Sequence, residues 1–320
     1  CLSRSHGGIG DVLMTTPTIR AIKQKYKNCR LVYATDFSYL NGALAAVLQG
    51  NPYIDEVVDH AKVREDDFDV YISLTCPCVA HEVPKAPPIH RIDLFARHAQ
   101  VVLEDKSMIY VMTEEERGWG KAWLEKRGVN KFHKVILISP FASHWRRSWD
   151  VRKWQETIGL LTQSDKDIRV ITVTHSSDYK QVDWNQVNST VMHNFGVRQI
   201  AAVLANTNLC ICTDSALLHL AQAMNHPTVA VFGPTDPAAR CNYSPNTAVV
   251  CYGDQIAAHP CYYDGACPCN LTCMRLIGPQ EVTTVALKKL YGEELPARYN
   301  YYRSNEQMIS TTELIPSERL

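Results

Sequence analysis

The 320 residues of the chain are enough for about two domains with a sizeable core. Lys plus Arg (33) equals Asp plus Glu (33), so the charge balance argues against general nucleic-acid binding. No run of 18 apolar residues predicts a transmembrane helix, and the first residues lack the pattern of a signal peptide. Because Cys1 stands directly at a predicted strand, we expect further residues before it in the full protein.

Apolar runs of strand length alternate with helix-length segments along the chain. In the first half, strands are predicted at 2–4, 30–34, within 51–58 and at 70–74, and helices at 12–26, 41–48, from 89 and at 112–128. In the second half, strands are predicted at 135–139, 168–174, 209–212 and 228–232, and helices at 151–162, 198–205, from 216 and at 279–291. The alternation predicts two doubly wound α/β halves, 1–130 and 131–292. The polar tail, 293–320, is expected to pack back on the first half or to be partly disordered.

A glycine-rich turn, Ser5–Asp11, follows the first predicted strand. It does not match the dinucleotide fingerprint, because Leu13 stands where the third glycine is needed. No Gly-Lys-Ser/Thr follows, so the phosphate-loop motif fails as well. Gly8 and Gly10 instead allow a substrate to approach the backbone closely. An oxidoreductase is therefore disfavoured.

A second polar turn lies between the predicted strand Leu209–Cys212 and a helix that starts near Ala216. Asp214 or Ser215 is placed to cap that helix, and the free N–H groups of its first turn make an anion site. His219 lies one turn further along the helix and can face the same cleft. The next strand ends in Gly233-Pro234-Thr235-Asp236. Two neighbouring strand ends of this kind suit a nucleoside-diphosphate pocket.

The segment TDSALLHLAQAMNHPTVAVFGPTDP, residues 213–237, resembles the donor-binding segment of glycosyltransferase family 9, the lipopolysaccharide heptosyltransferases. The Gly-Asp pair at 10–11 and Pro17 fit a second motif of the family, and the similarity extends over about residues 5 to 290. This resemblance implies a GT-B fold, in which two Rossmann-like domains face a cleft.

The resemblance also implies roles for individual residues. Asp11 matches the family's proposed catalytic base; the alternative is that it only caps a helix. On the acceptor side Gly10 belongs to the matched motif, while Gly8 and Arg91 are candidates from the sequence itself: Gly8 lies in the same glycine-rich turn, and Arg91 opens a helix that would carry it toward the acceptor, with a merely solvated helix face as the alternative. On the donor side the resemblance points to Ser143, Arg147, Asp214, Ser215, His219, Gly233 and Thr235, and to the position of Ala216. Arg146 is an alternative to Arg147 as the basic residue that contacts the donor pyrophosphate.

Two positions depart from the family pattern. Ala216 stands where glycine is usual, so a methyl group narrows the approach of the donor to the backbone. Arg147 stands where several relatives have Lys, and this exchange suits phosphate because a guanidinium makes bidentate contacts.

The function implied is inverting, metal-independent transfer of a sugar, heptose from ADP-heptose, to a lipopolysaccharide-type glycan or glycolipid. No cofactor is expected besides the nucleotide-sugar, and no nucleic acid. The expected location is cytoplasmic, with peripheral contact at the inner membrane as an option. Two alternatives stay open: another nucleotide-sugar used on a protein or small-molecule acceptor, and a non-catalytic sugar-binding relative. The presence of Asp11 argues against the second, since binding alone needs no base.

Four cysteines, Cys261, Cys267, Cys269 and Cys273, form what we call the Cys-rich segment, residues 261–273. Their spacing lacks two clean C-x2-C pairs, so a zinc site is not well supported. Disulfides are disfavoured in a cytosol. Free thiols, a zinc or iron site, and disulfides all stay open.

Overall fold

A computed structural model describes residues 1–302 of the chain, apart from positions 76, 79, 85, 86, 176–188 and 264. The predicted tail beyond Tyr302 therefore lies outside the described residues. None of the described helices is both long and apolar enough to cross a membrane.

The first half is built on a parallel four-stranded sheet with the order β3-β2-β1-β4. Leu2 of the central strand pairs with Tyr33 on one side and Ile72 on the other. The central strands are buried on both faces, which suits parallel strands covered by helices. The strands are β1 (Leu2–Arg4), β2 (Val32–Thr35), β3 (Glu56–Asp59) and β4 (Ile72–Ser73).

Three helices accompany this sheet, α1 (Ile9–Lys25), α2 (Ala43–Ala46) and α3 (Arg91–His98). Helix α1 starts three residues earlier than predicted, with Gly8 as its N-cap, so Asp11 lies inside the first helical turn. A carboxylate is favourable there because it faces the positive end of the helix dipole. Helix α2 is shorter than predicted, because Leu40 and Asn41 adopt positive φ angles of 45° and 55° before it.

The second half is built on a parallel six-stranded sheet with the order β10-β9-β8-β5-β6-β7. Its strands are β5 (Lys134–Ser139), β6 (Ile168–Thr174), β7 (Ser189–His193), β8 (Leu209–Thr213), β9 (Thr228–Phe232) and β10 (Thr247–Cys251). The two edge strands, β7 and β10, were not predicted. The central strands β8 and β9 are entirely buried. Because they pair in parallel, their carboxyl ends lie side by side at the same edge of the sheet.

Seven further helices complete the described structure: α4 (Glu114–Lys126), α5 (Val151–Ser164), α6 (Val197–Leu204), α7 (Ala216–Ala223), α8 (Ala238–Cys241), α9 (Thr272–Arg275) and α10 (Pro279–Tyr291). Helix α1 of the first half packs against α7 of the second half, and this contact brings the two predicted site segments together. The first part of the tail packs on the second sheet rather than on the first half: Asn300 forms an antiparallel bridge with Ala248, and Tyr299 is buried.

Helix α4 lies just before the predicted boundary at residue 130 and packs on α6. Thr113 and Glu116 form a capping box at its start: the Thr113 side chain accepts from the Glu116 amide, and the Glu116 carboxylate accepts from the Thr113 amide at 2.9 Å. The contact between α4 and α6 is close because Gly120 has no side chain. A Cβ atom at Gly120 would lie 2.0 Å from the backbone oxygen of Ala202.

We therefore expect Gly120→Ala to lower the free energy of unfolding by about 1–3 kcal/mol, because the two helices have to move apart. Gly118→Ala in the same helix is the matched control. A Cβ atom there meets nothing within 4 Å, so the better helix propensity of alanine should stabilise by up to about 1 kcal/mol. Urea unfolding of both variants measures the difference, and equal stability of the two would contradict the packing.

Candidate active site

The predicted anion site at the start of α7 is present as a turn at the end of β8. Ser215 is the N-cap residue, but its side chain makes no capping hydrogen bond, contrary to the prediction that Asp214 or Ser215 caps the helix. Ala216 is exposed at the first helical position. The start of α7 therefore keeps its backbone N–H groups on the open side of the turn.

Asp214 is the buried carboxylate of this turn. It accepts a hydrogen bond from the Thr235 hydroxyl at 2.8 Å, so the two strand ends predicted to form one pocket do meet. Burial works to raise the pKa of Asp214, but the charges of Arg147 and Arg240 act against it, and the net shift is downward. Asp214 is therefore ionised at neutral pH.

Arg147 is the basic residue that faces this turn. Its Nη1 donates to the backbone oxygen of Asp214 at 2.9 Å, and its Nη2 donates to the hydroxyl of Ser143 at 2.6 Å. Arg146, the alternative, is buried and donates to the backbone oxygen of Gly265 instead. The structure thus brings Arg147 to the predicted donor pocket and uses Arg146 to hold the Cys-rich segment.

The hydrogen bonds around His219 determine its tautomer. Gln222 donates through Nε2 to the backbone oxygen of Arg240 at 3.1 Å, so its Oε1 faces Nδ1 of His219 at 3.2 Å. Because an amide oxygen only accepts, Nδ1 carries the proton. Burial lowers the pKa of His219 to about 4. At neutral pH the other nitrogen, Nε2, is therefore an acceptor, 3.9 Å from Oδ1 of Asp214.

Several buried polar atoms in this region have no hydrogen-bond partner within the described part of the protein. They are Thr213 Oγ1, Asp214 Oδ1, Ser215 Oγ and Arg147 Nε. Buried polar groups are almost always hydrogen-bonded in native proteins. Their concentration at one strand end, with both donors and acceptors, indicates a binding site for a polar ligand.

Asp11 faces this region from the first half. Its Oδ1 is paired with Arg91 Nη1, and its Oδ2 lies 3.4 Å from Arg4 Nη2 and accepts from the Gly8 amide at 2.9 Å. Burial works to raise the pKa of Asp11, but Arg91 and Arg4 together lower it well below its ordinary value. The same carboxylate therefore accepts the hydrogen bond of the N-cap amide of α1 and carries a negative charge in the cleft.

Two residues that the sequence analysis missed link the halves. Glu82 accepts hydrogen bonds from Nε and Nη2 of Arg91, and its Oε1 lies 2.9 Å from Nη1 of Arg240. Arg240, in α8, is almost fully buried. Glu82 belongs to no recognisable sequence motif. Arg240 closely follows the Gly233–Asp236 loop, and this proximity is the one feature of the sequence that indicates a role in the site.

Arg4 was also missed, although a charged residue at the end of a buried strand is itself a signal. Its Nη1 donates to the backbone oxygens of Leu74 and Thr75, and its guanidinium lies 5.0 Å from the ring centre of Phe95. These contacts hold Arg4 beside Asp11.

The predicted glycines have different surroundings. A Cβ atom at Gly10 would lie 2.1 Å from Cδ2 of His219, so this glycine permits the approach of α1 to α7. A Cβ atom at Gly8 would meet nothing within 4 Å. At Gly233 it would lie 2.4 Å from Sδ of Met274, which follows the Cys-rich segment. Gly10 and Gly233 are thus needed for protein packing beside the site.

The four clustered cysteines are free thiols. Cys269 Sγ and Cys273 Sγ are 3.8 Å apart, and Cys267 Sγ accepts from the Leu271 amide at 3.2 Å. Within the described ranges, no three His, Cys, Asp or Glu side chains are grouped so that they could hold a metal ion. Of the three alternatives left open above, disulfides are not formed among these four cysteines in the described geometry.

Comparison with known proteins identifies the family. The model of glycosyltransferase family 9 (heptosyltransferase) matches residues 84–265, more than half of the chain. The chain belongs to this family. It is 30% identical over 105 residues to lipopolysaccharide heptosyltransferase 1 of Escherichia coli strain K12. That match covers 32% of this chain and spans about a third (33%) of the relative.

Solved structures show the fold of this family-9 chain. The family 9 glycosyl transferase from Veillonella parvula DSM 2008 has a TM-score of 0.70 at 17% identity, covering 91% of this chain and 97% of that one. The E. coli ADP-heptose lps heptosyltransferase II has a TM-score of 0.66 at 16% identity, covering 92% and 99%. The predicted GT-B architecture with two parallel-sheet domains is confirmed.

Burial of uncharged imidazoles makes the stability of this family-9 chain depend on pH. Burial is the main cause that lowers the pKa of His90 to about 3 and the pKa values of His219 and His226 to about 4. The ordinary value is about 6.5. Between pH 6.5 and 4 the unfolded chain therefore binds more protons, so stability falls as pH falls through this window.

His226 lies outside the site. We expect the free energy of unfolding of His226→Gln to fall by about 2 kcal/mol less than that of the wild type between pH 7 and pH 5. Urea unfolding at both pH values measures this loss. His98→Gln, at an exposed position of α3, is the control and should keep the wild-type pH dependence. If His226→Gln keeps it too, the buried imidazole does not titrate as described.

Proposed function

We propose that this chain transfers a sugar from a nucleoside-diphosphate donor to a hydroxyl of a glycan acceptor, with inversion and without a metal ion. The donor we propose is ADP-heptose, and the acceptor is of the lipopolysaccharide type. Family membership supports the reaction class, and the heptosyltransferase names of the similar proteins support the sugar and the acceptor.

The observation that carries the proposal is the group of unpartnered polar atoms at the start of α7, opposite an ionised carboxylate. In this proposal the donor diphosphate binds Arg147 and the first N–H groups of α7. A hydroxyl of the donor sugar lies between Asp214 Oδ1 and His219 Nε2, because both atoms are acceptors without a donor between them.

The charges of the cleft support an anionic ligand. Four arginines are gathered with only three carboxylates, and His219 is neutral, which leaves one excess positive charge. The arginines are Arg4, Arg91, Arg147 and Arg240; the carboxylates are Asp11, Glu82 and Asp214. In a water-poor cleft this excess stabilises the charge that develops on the leaving diphosphate.

Asp11 is the proposed base that takes the proton of the acceptor hydroxyl as it attacks the anomeric carbon. A carboxylate paired with two arginines is a weak base. Arg91 therefore has to give up its contact with Oδ1 when the acceptor binds, and the acceptor hydroxyl takes its place. A single displacement of this kind inverts the anomeric centre.

Calorimetric titration of ADP, UDP, GDP and CDP tests the donor site. We expect ADP to bind in preference to the other three. Arg147→Ala should weaken ADP binding at least tenfold, because a charge-assisted hydrogen bond is lost. Arg152→Ala, an exposed arginine at the start of α5, is the control and should bind like the wild type.

Two other outcomes of the titration would change the proposed function. A preference for another nucleotide keeps the fold and moves the function to a different sugar donor. Absence of binding by all four nucleotides contradicts transfer and favours the non-catalytic sugar-binding alternative.

Asp11→Asn tests the base. We expect the transfer rate to fall by about 10²–10⁴, because the amide cannot accept the proton, while ADP affinity stays within about twofold of the wild type. A transfer assay with ADP-heptose, run beside calorimetry, separates the two effects. Asp67→Asn, in an exposed turn, should keep full activity. Near-normal transfer by Asp11→Asn would show that the base is misassigned.

A further inference from the structure

The Cys-rich segment has no role in the proposed site, yet hydrogen bonds attach this segment to the site at two points. The amides of Cys261 and Tyr262 both donate to the backbone oxygen of Pro234, at 3.0 and 3.1 Å. Arg146, next to the donor-site arginine, donates to the backbone oxygen of Gly265. Cys261 and Tyr262 are therefore held against the Gly233–Thr235 loop, and Gly265 is held against the loop that carries Arg147.

Two residues between the anchors have an unusual backbone conformation. Tyr262 and Tyr263 have φ angles of 45° and 58°, in the left-handed region that bulky residues rarely adopt. Such conformations persist where the surroundings enforce them, and they concentrate at functional sites. Here the anchors at Pro234 and Gly265 enforce the turn, and the turn decides where the two tyrosine side chains lie.

The ring of Tyr263 packs directly on the donor-site arginine. The Arg147 guanidinium carbon lies 5.4 Å from its ring centre, and the His144 ring stacks on it at 4.8 Å with an interplanar angle of 29°. A guanidinium on an aromatic face is attracted by the ring quadrupole and loses orientational freedom. Tyr263 thus fixes the plane of Arg147 while the unpartnered Nε of that arginine stays available.

The hydroxyl of Tyr263 is in the same electrostatic environment as the cleft. Burial is the first cause that raises the pKa of Tyr263, and Asp214 adds to it, while Arg147, Arg240 and Arg91 lower it in part. These four residues belong to both sides of the proposed site. At neutral pH the phenol is protonated, so it can donate a hydrogen bond to an anion there.

We propose that Tyr263 is a further donor-binding residue: its hydroxyl donates to the terminal phosphate of the nucleoside diphosphate, and its ring orients Arg147 for the same phosphate. This inference rests on the proposed function and gives the Cys-rich segment a role, which is to deliver Tyr263 to the cleft.

Tyr263→Phe removes the hydroxyl and keeps the ring. We expect ADP to bind this variant about 5–10-fold more weakly than the wild type, while AMP, which lacks the terminal phosphate, binds both equally. Tyr263→Ala also removes the ring from Arg147, so its loss of ADP affinity should be larger. Calorimetry with ADP and AMP on the three proteins measures these differences, and the Phe variant decides the matter even if the Ala variant does not fold.

Tyr252→Phe is the matched control, because its hydroxyl donates to Glu281 Oε2 at 2.9 Å on the side of α10. It should bind ADP like the wild type. Equal ADP affinity of Tyr263→Phe and wild type, or a parallel loss for AMP, overturns this inference alone. If the wild type itself binds no nucleoside diphosphate, the proposed function fails, and this inference fails with it.

Discussion

The ion pairs of Glu82 connect the two halves of the molecule. This carboxylate holds Arg91, which contacts Asp11 in the first half, and Arg240, which lies behind Asp214 in the second. Buried charges are costly unless they are paired, so removal of Glu82 would leave two buried guanidinium groups without their partner. Because Glu82 is shared, the ion pairs that hold Arg91 beside Asp11 in the first half are linked to Arg240 in the second half.

Close packing complements these ion pairs. Gly10 lets α1 reach the ring of His219, and this contact places Asp11 opposite the start of α7. The cleft wall on the other side is formed by the Gly233–Thr235 loop, whose Thr235 binds Asp214. With Cys261 and Tyr262 anchored to that loop through the backbone oxygen of Pro234 and Tyr263 following them, the proposed donor site combines four chain segments. Each is held by backbone or ion-pair contacts, so the proposed mechanism needs little rearrangement on the donor side and a movement of Arg91 on the acceptor side.

The sequence by itself determined the α/β class, most elements of both sheets and the residues of each local motif. The order Thr213-Asp214-Ser215-Ala216 predicts a strand end followed by a helix start, because burial and turn chemistry act over a few residues. The same local rules placed Thr235 at a second strand end. They failed at the edge strands β7 and β10, although these are as long as β8 and β9, and at the start of α1, where the cap is a glycine without a side-chain signal.

Only the tertiary structure decided which charged groups meet. Arg91 contacts Asp11 across 80 positions of the chain, and Arg146 reaches Gly265 across 119. The choice between Arg146 and Arg147, the roles of Arg4, Glu82 and Arg240, and the placement of Tyr263 all follow from such long-range contacts. The physical reason is that an ion pair, a stacked ring or a pKa shift depends on distances in space and on burial. A local sequence pattern determines neither of these two quantities.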